Sequence, residues 1–102
     1  MRKIHELKTW PDYFAPIKSG IKTFDVRRTR DRDFQLGDQL VLREWDDRTR
    51  EYSGDEVHCR IIYILQGVGF GGIEPLAGIM PGFAVLGFEL INNNAAEKSA
   101  AA

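Results

Sequence analysis

The sequence predicts a small α+β domain, a curled antiparallel or mixed sheet of about five strands with one N-terminal helix packed on it. Three observations carry this expectation. Strand-like runs recur at Lys3 to Thr9, Thr23 to Arg28, Gln39 to Trp45, Glu56 to Leu65 and Phe83 to Leu90. Between the first two, Trp10, Phe14 and Ile17 fall at helical spacing. A chain of 102 residues has room for one modest core and no second domain. Residues 1–91 are therefore expected to form a single unit. Residues 92–102, rich in asparagine and alanine, read as a disordered tail or cloning remnant.

Each element has a local reason. Thr9 is placed to cap the helix Trp10 to Ser19, and Gly20 ends it. Pro16 removes an interior amide donor, so a kink or break is expected there. The Gly37-Asp38 turn leads into the strand Gln39 to Trp45, and Asp46 to Gly54 reads as a hairpin loop with a short extended piece around Tyr52. The strand Glu56 to Leu65 ends in an apolar run that implies burial on both faces. The expected core includes Phe24, Val26, Leu40, Leu42, Ile61 and Val85, and the two tryptophans, Trp10 and Trp45, read first as core residues.

Composition narrows the function classes. No apolar run approaches the ~20 residues of a membrane-spanning helix, and Met1 to His5 lacks the apolar stretch of a signal peptide, so a soluble, cytoplasmic protein without membrane contact is expected. Cys59 is the single cysteine, which rules out an internal disulfide, and it reads as a small buried thiol. His5 and His58 are not spaced as a metal pair, so neither metal nor cofactor is expected. The net charge of −1 is unevenly spread: residues 1–50 hold 12 Lys and Arg against 9 Asp and Glu, and residues 51–102 hold 2 against 6. The basic excess gathers in Arg27-Arg28-Thr29-Arg30-Asp31-Arg32, a patch suited to phosphate, although a solvated loop has the same composition. Gln66 to Gly82 holds six glycines. Its Gly67-Val68-Gly69-Phe70-Gly71-Gly72 matches a dinucleotide fingerprint only formally, since Pro75 and Pro81 prevent the helix which that fingerprint must open. The stretch reads as a simple connection or as a mobile lid carrying Phe70, Ile73, Leu76 and Met80.

The segment Gly20-Ile21-Lys22-Thr23-Phe24-Asp25-Val26-Arg27 is the densest in chemistry. Its alternation sets Thr23, Asp25 and Arg27 on one face and Phe24 and Val26 on the other, which the pattern assigns to the core. A solvated edge strand with a surface ion pair, worth about 0–1 kcal/mol, would show the same spacing. The segment resembles the Gly-x-Lys-x-x-Glu-x-Arg signature of the ASCH domain, a branch of the PUA-like superfamily, with Asp25 in place of glutamate. The resemblance spans roughly residues 4–90, taking in His5-Glu6-Leu7-Lys8, the Arg32 to Asp38 lead-in and Arg43-Glu44-Trp45. It points to a small phage and bacterial group of ASCH-like proteins and implies a PUA-like β-barrel.

Strand ends form barrel mouths, so His5, Lys8, Lys22, Asp25, Arg27, Arg28, Arg30, Glu44 and Trp45 are the candidate ligand-binding residues. Glu44 follows Leu40 and Leu42 at period two, which aims it inward, where it would need Lys8, Lys22 or Arg27 as a partner. Three readings stay open. The first is a module binding RNA, a nucleoside or a nucleotide, with Lys22, Arg27 and Arg28 on phosphate and Trp10, Trp45 or Phe70 stacking on an unpaired or modified base. The second, implied by the resemblance, is an amidohydrolase deacylating a modified nucleoside such as N4-acetylcytidine. Its catalytic set would be Lys22, Asp25 and Glu44, with Asp25 where those enzymes carry threonine. The third is a protein-interaction accessory domain.

Overall fold

The computed structural model describes residues 2–67 and 78–91. The expectations for a lid through Phe70, Ile73 and Leu76 and for a tail at 92–102 lie outside the described residues. The chain forms β1 (Ile4–Thr9), α1 (Pro11–Lys18), β2 (Phe24–Arg28), β3 (Gln39–Asp46), β4 (Glu51–Gln66) and β5 (Phe83–Leu90). The strands make one curled sheet in the order β1-β3-β4-β5-β2, with β1 parallel to β3 and the other pairs antiparallel. Register shifts between Arg43 and Trp45 and between Ile61 and Tyr63 interrupt the ladders. Irregularities of this kind bend a strand and add twist, which favours a curl over a flat sheet.

The inner face follows the period-two pattern. Leu7, Leu40, Leu42, Val57, Cys59, Ile61, Ala84, Leu86 and Phe88 are buried together with Phe14 and Ile17 of α1 and Phe34. At roughly 1.5–3 kcal/mol per fully buried large side chain, this cluster is the main stabilising term of the domain. Helix α1 starts differently from the expectation. Trp10, not Thr9, is the capping residue, and its carbonyl receives the amides of Tyr13 and Phe14 while Pro11 occupies the first turn. The helix does not break at Pro16, because only one interior hydrogen bond is lost in a two-turn helix that ends two residues later. The Pro16 carbonyl then accepts from the amides of Ile21 and Lys22, and Gly20 turns the chain at φ +87°.

Three expectations about burial are corrected. Phe24 and Val26 lie on the outer face, 46 % and 49 % exposed, and Asp25 faces inward. The register explains this: Asp25 sits opposite Leu86 and Arg27 opposite Ala84, both wholly buried, whereas Val26 sits opposite half-buried Val85. The apolar end of β4 is not buried on both faces. Strand β4 also begins earlier than expected, and after the bulge Ile62, Tyr63 and Leu65 are exposed, with Tyr63 opposite Gly87. Neither tryptophan is a core residue, since Trp10 is 53 % exposed and Trp45 half-buried.

At the far end of the sheet Asp38 organises the start of β1 and the turn before β3. Its carboxylate accepts from the Lys3 amide (3.0 Å), the Gln35 amide (3.0 Å) and His5 Nε2 (2.8 Å). Burial alone would raise the Asp38 pKa, but these hydrogen bonds from His5, Lys3 and Gln35 and the charge of His5 outweigh it and hold the carboxyl below its ordinary value. The stabilisation is therefore complete above the unfolded-state value of about 3.9 and drains away as the pH falls toward the lower folded value. Urea denaturation followed by tryptophan fluorescence from pH 7 down to 2 should show this loss, and Asp38→Asn should be less stable at pH 7 by roughly 2 kcal/mol with a flatter acid limb. An Asp38→Asn protein with wild-type stability at pH 7 would contradict the assignment.

Candidate functional site

The start of α1, the segment entering β2 and the two outermost strands converge on a cleft of about 430 Å³ lined by Lys8, Thr9, Trp10, Tyr13, Lys22, Asp25, Val26 and Arg27. Asp25 is its fixed point. Oδ1 accepts from Lys22 Nζ at 3.1 Å and Oδ2 accepts from Arg27 Nε at 2.9 Å. Arg27 continues the chain of contacts by donating from Nη1 to the Lys8 carbonyl and from Nη2 to Thr9 Oγ1, both at 3.0 Å. Lys8 and Thr9 belong to β1 and Arg27 to β2, the two outer strands of the sheet. A guanidinium group thus joins edges that share no backbone ladder. Trp10 and Tyr13 form the rim, their rings stacked at 6.3 Å and 23°, and Lys22 Nζ lies 4.8 Å from the Tyr13 ring centre.

Of the expected site residues, the fold gathers Lys8, Lys22, Asp25 and Arg27 into one cleft. Arg27 is not the free phosphate ligand that its sequence position suggested, because Nε, Nη1 and Nη2 are all occupied by protein acceptors. His5 stands four residues before Thr9 on β1, roughly 13 Å away at the rise of a strand, buried against Phe34 and bonded to Asp38. Arg28 projects with Phe24 and Val26 on the outer face, and Arg30 packs over Gly82. Glu44 is half-buried in register with Thr9, but it lines a separate hollow with Pro11, Asp46, Thr49, Glu51, Tyr52 and Ser53. It has no hydrogen bond or ion pair to Lys8, Lys22 or Arg27. The β3 bulge beside it offsets the strand at that point. Trp45 carries Lys8 Nζ at 3.9 Å over its ring and meets Tyr52 edge-on at 4.7 Å, outside the cleft.

Two contributors were missed. Thr9 was read as a helix cap, yet it ends β1 buried and offers the only hydroxyl that Arg27 grips. Its place in the alternation His5, Leu7, Thr9 is the sequence signal that it points inward. Tyr13, on the exposed face of α1, carries no such signal. Among the described residues no three His, Cys, Asp or Glu side chains converge as a metal site, and no helix is long and apolar enough to cross a membrane.

With this geometry in hand, the chain can be compared with known proteins. Residues 4–88 match the family described as Domain of unknown function (DUF3850). The chain belongs to that family. It is also 38% identical over 61 residues to the "Uncharacterized 12.9 kDa protein in GpA 3'region" of Escherichia phage P2, an alignment covering 60% of this chain and 53% of the phage protein. The chain therefore spans about half the length of that relative.

Cys59 is wholly buried in the core cluster. Burial pushes its thiol pKa up to about 12, and the Asp25 carboxylate adds to the shift. At pH 8 it should carry roughly three orders of magnitude less thiolate than a free cysteine. A chromogenic thiol reagent should leave it unlabelled in the native protein and label it fully in denaturant. Rapid native labelling would place Cys59 at an accessible site instead.

Proposed function

We propose that this DUF3850 protein is an RNA- or nucleotide-binding module of the PUA-like kind, holding an unpaired or modified base in the Lys22–Asp25 cleft. One observation carries the reading: an exposed aromatic pair, Trp10 and Tyr13, borders a floor of fixed donors and acceptors. A planar heterocycle needs both, a face to stack on and polar groups for its edge, and single-stranded bases present both. The curled mixed sheet and the Gly20-x-Lys22-x-x-Asp25-x-Arg27 stretch support the PUA-like assignment. Lys22 acts here as a charge and a donor. It is held by Asp25 on one side and by the Tyr13 ring on the other.

Titrating nucleosides and short single-stranded RNAs against the intrinsic fluorescence tests this, because Trp10 lies at the rim. Saturable quenching is expected, Trp10→Ala should cost about 1–3 kcal/mol of binding, and Lys22→Ala should weaken it more than Lys22→Arg does. Flat titrations with every nucleoside and RNA would count against the module.

A second reading has its own observation. The hydroxyl that the resembling amidohydrolases carry at the position of Asp25 has a counterpart in the same cleft, Thr9, beside Lys22 and Arg27. If the protein hydrolyses N4-acetylcytidine to cytidine and acetate, chromatography will show product, and both Thr9→Val and Lys22→Arg will abolish it. That result would replace the binding module with an amidohydrolase.

A further inference from the structure

A second cleft, of about 380 Å³, adjoins the first and shares Lys8 and Arg27 with it. Its remaining lining includes Glu6 and Tyr52, and Arg32 and Arg43, which lie 11 residues apart in sequence, both reach into it. The sequence pattern places phosphate contacts on Lys22, Arg27 and Arg28, within and beside the run Arg27 to Arg32. The fold separates that run and pairs Arg32 with Arg43 instead.

How these cations are held distinguishes them from others on the surface. Lys18 and Arg60 each donate a hydrogen bond to a carboxylate, on Asp55 and Glu89 respectively. By contrast, Arg43 lies over the Tyr52 ring at 4.2 Å, a contact that orients a guanidinium without using its N–H donors. Its one carboxylate contact, to Glu6, is long at 3.7 Å. Among the described residues, Arg32 reaches only the Glu6 carbonyl, at 3.4 Å, and Lys8 rests on Trp45 with no carboxylate partner. Arg27 adds charge, with three of its five N–H donors already committed to Asp25, Lys8 and Thr9. The cleft therefore presents oriented cations whose donors remain available and a single competing carboxylate.

We propose that this second cleft seats a backbone phosphate of single-stranded RNA, with Arg32, Arg43 and Lys8 as its ligands, while the neighbouring base occupies the Trp10–Tyr13 cleft. The proposal rests on the nucleic-acid reading above and adds direction to it. The strand crosses the seam between β2 and β1, and Arg27 underlies the crossing. Planar guanidinium groups that are already oriented suit a phosphodiester, whose two free oxygens accept paired N–H bonds. The Glu6 carboxylate stands against this ligand by charge and should weaken it.

The test is fluorescence anisotropy of a labelled eight-nucleotide single-stranded RNA across a salt series, with wild type, Arg32→Gln, Arg43→Gln, Glu6→Gln and Trp10→Ala. Each arginine variant should bind three- to tenfold more weakly at moderate salt and lower the salt slope by about 0.7, the value of one contact to a single-stranded phosphate. Glu6→Gln should bind more tightly, a gain that loss of folding cannot produce. Trp10→Ala should weaken binding with the salt slope unchanged. Arginine variants that keep wild-type affinity and slope overturn the phosphate seat, even if Trp10→Ala still binds weakly. If the arginine variants lose slope and Trp10→Ala binds like wild type, the base cleft fails and the phosphate seat stands. A wild-type protein that binds no RNA overturns both.

Discussion

The Arg27 guanidinium group is the constraint on which the rest of this structure depends. A curled sheet with two unpaired edges must close them, cover them or leave two rows of backbone groups to solvent. Here one side chain of β2 reaches the last residues of β1 and bonds a carbonyl and a hydroxyl there. A partly buried cation needs a partner of opposite charge, and Asp25, two residues earlier on the same strand face, provides it. Asp25 must then point inward. Once it does, alternation sends Phe24 and Val26 outward, and Lys22 comes round the Gly20 turn onto the remaining carboxylate oxygen.

The same bond sets the geometry of both clefts. They lie on either side of the Arg27 bridge, one walled by α1 and the other by β1 and β3, and they share Lys8 and Arg27, two of the three residues that form it. The charges divide by what they already hold. Asp25 and Arg27 are held by protein partners at both carboxylate oxygens and all three guanidinium nitrogens, so they shape the site. Lys8, Arg32 and Arg43 rest on aromatic rings or on a backbone carbonyl, so they remain open to a ligand. Separating supporting charges from receiving charges is what a site for an anionic, partly planar ligand requires.

Where burial followed apolarity, the sequence was a sufficient guide. Leu40, Leu42 and Ile61 sit inside as their period-two spacing requires, Cys59 is sealed, and Gly20 takes the positive φ that its turn demands. The phase of β2 could not be read this way, because a one-residue slip exchanges the two faces of a strand and apolar content is the usual arbiter. An ion pair that satisfies itself across the seam reverses that arbitration, and its acceptors lie 18 and 19 residues away in sequence. His5 was misread for a related reason. Its partner, Asp38, is 33 residues distant, and nothing local distinguishes a histidine committed to such a bond from one at a binding mouth. Arg32 and Arg43 meet only because β1 lies parallel to β3, a long-range pairing that no local pattern encodes.

Hydrogen exchange in Arg27→Lys, compared strand by strand with wild type, tests the seam most directly. Lysine keeps the positive charge beside Asp25 but lacks the planar fork that bonds Lys8 and Thr9 together. If Arg27 joins the sheet's edges, amide protection should fall in 4–9 and 24–28 while β3 and β4 keep theirs. Unchanged protection at both edges, or an equal loss across all five strands, would contradict the account.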